Sequence, residues 1–230
     1  MDPVFLGLAG EDWAAVGYSA VVACAAVLAT LPPGVALGWL LARRTFPGKF
    51  LVETALNLPL VVPPVVTGYL LLVALGRRGW FFHAFGVSLA FTTTAAVIAG
   101  AVMGFPLLVR AVRLAFQGVD PRLYQAARSL GAGPLDAFFS VSLPLARNGV
   151  VAGAVLAFAR ALGEFGATML FASSRPGRYT LALQIYALYN LGDAAQERMW
   201  RLVAASVVLA CAALLASEWL ERRGARRESA

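Results

Sequence analysis

The chain has 230 residues, 60% of them hydrophobic and only 13% charged, with a formal net charge of +7. A soluble domain of this size is nearer half apolar and a quarter charged, so the composition points to an integral membrane protein. The positive charge is almost all arginine, placed between apolar runs with no continuous basic stripe, which argues against a nucleic-acid groove.

The N-terminal stretch MDPVFLGLAGEDWAA has no basic segment and carries acidic residues, so no cleaved signal peptide is expected. A spanning helix needs about 20 mostly apolar residues. Runs of that kind cover residues 14–41, 51–75, 88–109, 149–171 and 202–220. The sequence therefore predicts an all-α polytopic membrane protein with about five transmembrane helices. Residues 181–191 form a shorter apolar segment with Gln184 and Asn190, read as re-entrant or interfacial. A sixth span arises if that segment inserts or if the N-terminal residues add a helix. Trp13, Trp80, Trp200 and Trp219 fall near span ends, as interfacial anchors do. Cys24 and Cys211 lie inside apolar runs without a CxxC pattern and are read as small core residues. With no linker, low-complexity segment or internal repeat, residues 1–230 are read as one domain.

Two spans carry proline breaks in sequence. The first holds Leu31-Pro32-Pro33-Gly34 and the second Leu58-Pro59-Leu60-Val61-Val62-Pro63-Pro64. Proline removes a backbone donor and clashes with the preceding turn. In hydrocarbon the freed carbonyls need protein or a water-filled cavity. Pro59, Pro63 and Pro64 are therefore candidates for a transport route, against the simpler reading of a plain kink. Gly100/Gly104 and Gly149/Gly153 have the spacing of close helix contacts.

Arginine placement orients the bundle. Arg43, Arg44, Lys49, Arg110, Arg113, Arg122, Arg128, Arg147, Arg222, Arg223, Arg226 and Arg227 group on one side. Arg77, Arg78, Arg175, Arg178 and Arg198 fall on the other, with Arg201 near the boundary. The positive-inside rule makes the first side cytoplasmic. The N-terminus is then outside and the C-terminus inside.

Residues 120–144, DPRLYQAARSLGAGPLDAFFSVSLP, are too polar to span. Asp120 is a good N-cap, Pro121 suits the first helical position, and Gly131 can end the helix left-handed. Gly133-Pro134 opens a second short helix that Pro144 is expected to end. Leu123, Ala126, Ala127 and Leu130 share one face of the first helix. A helix lying on the bilayer surface competes with a docking role. The caps and the aromatic second helix, with Phe138 and Phe139, favour docking.

Much chemistry is absent from the sequence. No GxxxxGK[ST] phosphate loop exists, so no ATP hydrolysis is expected of this chain. No HExxH or GxSxG occurs, and His83 has no evident metal partner; no catalytic site, metal or cofactor is expected. Arg160 and Glu164, four apart in the fourth run, are expected on one helix face. They are either a mutually neutralising structural pair or a gate in which Arg160 offers positive potential to an anion. A proton relay at Glu164 is disfavoured by the arginine beside it.

These residues resemble a known family. Gln125-Ala126-Ala127, three residues, Gly131, nine residues, then Val141-Ser142-Leu143-Pro144 is similar to the EAA loop of ABC importer permeases. Gln125 stands where the family has Glu, and Val141 where it has Ile. The segments Arg44-Thr45-Phe46-Pro47-Gly48-Lys49, Leu58 to Val66, Gly76-Arg77-Arg78-Gly79 and Leu162 to Thr168 resemble the molybdate permease subfamily. The resemblance runs from about residue 13 to 222. Sulfate and thiosulfate permeases share the EAA loop, and tungstate is a further alternative anion.

The resemblance implies the type I permease bundle of a multi-pass bacterial inner-membrane protein. Two permease copies would pair, two cytosolic ATP-binding subunits would dock, and an external molybdate-binding protein would deliver the oxyanion. Leu123, Gln125, Ala126, Ala127, Leu130, Gly131, Leu143 and Pro144 would form the coupling segment. Gln125 is uncharged and makes no salt bridge of the kind that the family's glutamate would make to the ATPase. Membrane lipid is the remaining partner; nucleic acid is not one.

Overall fold

The computed structural model describes residues 10–172 and 179–228. Arg175 and Arg178, read above as external charges, lie outside the described residues. The side chains of Trp219 and of the arginines at 222, 223, 226 and 227 also lie outside them.

The described residues are mostly helical, with no strand among them. The elements are α1 (Gly10–Arg43), α2 (Lys49–Val61), α3 (Pro64–Leu75), α4 (Trp80–Phe85), α5 (Thr93–Gly118), α6 (Pro121–Ser129) and α7 (Pro134–Ala137). A π-turn (Phe138–Ser142) follows. Then come α8 (Leu143–Leu162), α9 (Gly166–Phe171), α10 (Leu181–Tyr189), a 3-10 turn (Gly192–Ala195) and α11 (Gln196–Glu228). Among the described residues, four helical stretches are long and apolar enough to cross a membrane: Gly10–Arg43, Pro64–Phe85, Thr93–Gly118 and Pro134–Leu162. The fifth predicted run, 202–220, lies within α11.

α5 is the central helix. Its apolar window is 56% buried against 22% for each of the other three. Thr92 caps it, accepting from Ala95 N at 3.1 Å, and it extends to Gly118, beyond the predicted end at 109. Close approach on both sides depends on small residues. A Cβ at Gly34 or Gly38 of α1 would lie 2.7 Å from Leu108 Cδ2 or 2.5 Å from Val112 Cγ1, so α1 runs parallel to α5. A Cβ at Gly104 would lie 2.9 Å from the Ala157 carbonyl, and one at Gly149 2.3 Å from Ala115 Cβ. The two glycine pairs thus seat α8 antiparallel against α5.

The structure corrects several expectations. Pro32 and Pro33 do not break the first span; α1 passes through both. The prolines are exposed, while the opposite face, through Ala26, Gly34 and Gly38, is packed on α5 either side of them. That packing carries the helix across the missing donors. The 149–171 run is not one helix, because it breaks between Leu162 and Gly166. Pro144 does not end the second short helix. The π-turn, with Leu143 N bonded to Phe138 O, widens the ladder just before it, and Pro144 sits in the first turn of α8 where a donor is dispensable. Cys24 and Cys211 are exposed on the bundle surface, not core residues.

The 181–191 segment forms α10, nine residues and so about 14 Å long, too short to cross a bilayer. It is fastened to α1. Leu181 N donates to Ser19 Oγ at 2.6 Å, and Gln184 Nε2 donates to Asp12 Oδ1 at 3.3 Å. Asp12 is fully buried and takes two bonds from Arg198 of α11, at 2.7 and 2.9 Å. These bonds raise the Arg198 pKa above its ordinary value, the hydrogen bond that it donates to Asp12 being the main cause. This cluster joins the starts of α1, α10 and α11. Asp12→Ala is expected to destabilise the bundle by about 2 kcal/mol, less than a fully buried pair because Arg198 is partly exposed and keeps Glu11. Unfolding of the detergent-solubilised protein, followed by tryptophan fluorescence, measures the loss.

Candidate functional site

The segment 120–144 is built as its local sequence dictates. Asp120 Oδ1 accepts from Arg122 N at 2.8 Å, and Pro121 opens α6. Gly131 takes φ +93, with Gly131 N on Arg128 O at 3.2 Å and Ala132 N on Ala127 O at 3.1 Å. Those two bonds close a Schellman motif, which needs the left-handed residue that glycine supplies. α6 buries no residue. Leu123 is 48% and Leu130 89% exposed. Ala126 and Gln125 are exposed, while Ala127 and Tyr124 are half-buried on the inner side. So the predicted face is presented outward at Leu123, Ala126 and Leu130, and Ala127 sits at its edge. Leu143 and Pro144 lie across the π-turn in α8. The segment is anchored from below by an aromatic stack: Trp39 meets Phe138 edge-on at 5.5 Å, and Phe138 meets Phe116 at 5.9 Å.

The second candidate region lies within the bundle. Between α2 and α3 the chain opens at Val62 and Pro63, with ψ 135 and 134. Pro63 and Pro64 have no N–H to give the carbonyls of Pro59 and Leu60. Pro59 itself remains inside α2. Val61 is 81% exposed, and Pro63 and Pro64 are exposed too.

A second opening, missed in the sequence, lies at residues 163–165. The two meet: a Cβ at Gly166 would lie 2.7 Å from Pro64 Cβ, and one at Gly68 2.7 Å from Ala167 Cα. The short helix after each break therefore packs on the other. The signal for the second break was Gly163 and Gly166 flanking Glu164-Phe165.

Arg160 and Glu164 do pair, as their spacing suggested, but Glu164 stands in the break and not in a helix. Glu164 is 1% exposed. Its Oε2 accepts from Arg160 Nη1, and its Oε1 accepts from Ala167 N at 2.8 Å, capping α9. Thr168 Oγ1 returns a bond to Glu164 O at 3.0 Å. The Arg160 side chain is 26% exposed, unlike the buried carboxylate it pairs with.

At the far end from α6, a cavity of about 820 Å³ is lined by Arg77, Arg78, Ser88, Phe91 and Thr92, among others. Phe91 holds φ +61, unusual for an aromatic residue. Among the described residues no group of three or more His, Cys, Asp or Glu, at His83 or elsewhere, is placed to hold a metal.

Comparisons agree with this architecture. Residues 34–226 match the family described as binding-protein-dependent transport system inner membrane component. The chain is 50% identical over 220 residues to the molybdenum transport system permease protein ModB of Escherichia coli K12, covering 94% of this chain and 96% of that one. It is 45% identical over 214 residues to the ModB protein of Haemophilus influenzae, covering 91% and 93%. In fold it resembles the structure of a bacterial alginate ABC transporter with its periplasmic protein. That match has TM-score 0.70 at 17% identity, covering 94% of this chain and 80% of that one. A broken-helix bundle with an exposed, capped α6 and this likeness along nearly its whole length leads to one assignment: the chain belongs to the family of binding-protein-dependent transport system inner membrane components, as an ABC importer permease of the kind found in molybdenum transport systems.

Proposed function

We propose that this chain is the membrane permease of an ATP-driven molybdate importer, and that it acts as a homodimer. Two ATP-binding subunits dock on α6, and an external binding protein supplies the oxyanion. The observation that carries the reading is the 50% identity to a molybdenum permease over 94% of the chain. ATP binding and hydrolysis belong to the docked subunits, since the sequence has no phosphate loop. Residues 1–230 work as one unit in the bacterial inner membrane. The N-terminus is outside and the C-terminus and α6 are cytoplasmic, as the arginine distribution supports.

The coupling route follows the covalent chain. A displacement of α6 and α7 passes through the π-turn into α8. The aromatic stack on Trp39 and Phe138 and the glycine-lined contact with α5 keep it from dissipating. The far end of α8 carries Arg160 and meets the break at Glu164. There α9 and α3 are packed on one another and can shift together about the two openings. The exposed chain at Pro63 and Pro64 is the part of α2–α3 that lipid solvates worst, which fits it to the two-fold interface or a wet path. Arg160 gives a tetrahedral dianion a transient positive site. Weak attraction suffices, because a tight internal site would slow release.

The test is reconstitution in liposomes with the ATP-binding subunit and binding protein, using labelled molybdate with sulfate as competitor. Uptake is expected to require ATP inside and to resist excess sulfate. Uptake that persists without ATP would make the chain a secondary carrier. Sulfate outcompeting molybdate would reassign the cargo.

A further inference from the structure

A cavity of about 200 Å³ lies where the end of α1 meets the first turns of α6, lined by Trp39, Arg43, Arg44, Pro121, Tyr124 and Gln125. It concentrates positive charge without a carboxylate to match. Arg43 uses Nη2 on the Val119 carbonyl at 2.8 Å, which ties α1 to the lead-in of α6. Arg44 is exposed, and among the described residues its guanidinium has no hydrogen bond or ion pair. Lys49 adds a third cation close by, its Nζ on the carbonyls of Leu41 at 2.7 Å and Arg44 at 3.1 Å. Neither Asp120 nor Glu53, the acidic residues of the adjoining segments, lines the cavity. Asp120 caps α6, and Glu53 pairs with Arg113 at 2.8 Å.

Gln125 sharpens the point. A glutamate there would cancel charge from within the cavity. The amide can hydrogen-bond an anion but cannot neutralise a guanidinium. Trp39 and Tyr124 form partly dry walls, which strengthen any ion pair made between them.

We infer that Arg43, Arg44 and Gln125 form a receptor for a carboxylate side chain of the ATP-binding subunit, so that the ion pair at this joint has its anion on the partner. The inference rests on α6 being the docking helix. A lipid phosphate has the same charge chemistry. The protein source is favoured because half the lining, Pro121, Tyr124 and Gln125, comes from α6, which buries no residue in the bundle. A subunit seated on Leu123 and Ala126 reaches the cavity directly.

The experiment measures the dissociation constant of the ATP-binding subunit from the permease in phosphatidylcholine nanodiscs. Arg44→Glu is expected to weaken binding about tenfold or more at low salt, with the difference shrinking in high salt. Gln125→Glu, which neutralises the cavity internally, is expected to weaken it too. Arg44→Gln serves as a milder variant, and thermal unfolding of each permease checks folding. Unchanged affinity for both Arg44 variants, or tighter binding by Gln125→Glu, would overturn the inference. So would a loss seen only when phosphatidylglycerol is present, which assigns the cavity to lipid. If the unmodified permease fails to bind the subunit at all, the docking role of α6 falls with it.

Discussion

Ala126→Arg is expected to lower ATP-driven uptake by about a hundredfold, the equivalent of about 2.7 kcal/mol of lost docking, while leaving the bundle's unfolding temperature unchanged. Ala126 is exposed on α6 between Leu123 and Leu130. Arginine is nearly as good a helix former as alanine. The Asp120 cap and the Schellman closure at Gly131 use backbone groups that the substitution leaves in place. What changes is the outward surface, where a long charged side chain holds a partner off. Co-purification of the ATP-binding subunit and liposome uptake are the two readouts. Normal values for both would move the docking face elsewhere on α6. Gly131→Val makes a useful contrast: its φ of +93 is unfavourable for a β-branched residue. It should disorder the end of α6 and reduce docking without adding any bulk to the face.

The local structure of the 120–144 segment was legible because its signals are local. Asp120, Pro121 and Gly131 act on their own backbone neighbours, and the structure places each where the sequence put it. The prolines show where local signals stop deciding. Pro32-Pro33 and Pro63-Pro64 look alike in sequence, yet α1 continues and α2–α3 opens. The difference is tertiary: α1 is packed along α5 on both sides of its prolines, whereas α2 buries no residue. Pro144 repeats the lesson, since a π-turn absorbs it. The Asp12–Arg198 pair joins residues 186 apart, so no window of sequence could have found it. Cys24 and Cys211 were misread because in a membrane chain an apolar run has an outward face as apolar as its inward one.

Glu164→Ala is expected to cost about 3 kcal/mol of stability, the largest loss foreseen for a single residue. Three things go at once. Arg160, its side chain about three-quarters buried, loses its anion. Ala167 N loses its acceptor at the start of α9. A cavity opens beside Pro64 and Gly166, where the two breaks touch. Arg160→Ala combined with Glu164→Ala should cost less than the sum of the two singles, since neither charge is then stranded. Chemical unfolding in detergent gives these values, and strict additivity would mean that the two side chains do not depend on each other.

Stability alone does not tell a fastening from a gate. Glu164→Gln does. The amide oxygen can still accept from Ala167 N, so α9 keeps its cap, but the negative charge that occupies Arg160 is gone. A purely structural pair then gives a somewhat less stable permease with ordinary uptake. The proposed pathway gives a different result, because a fully released Arg160 holds the passing dianion more tightly and slows its exit. Uptake by Glu164→Gln is therefore expected to fall about tenfold at saturating molybdate, with half-saturation at a lower concentration. A folded variant with unchanged uptake at every concentration would take Arg160 and Glu164 out of the pathway and leave them as the clamp that holds α9 against α3.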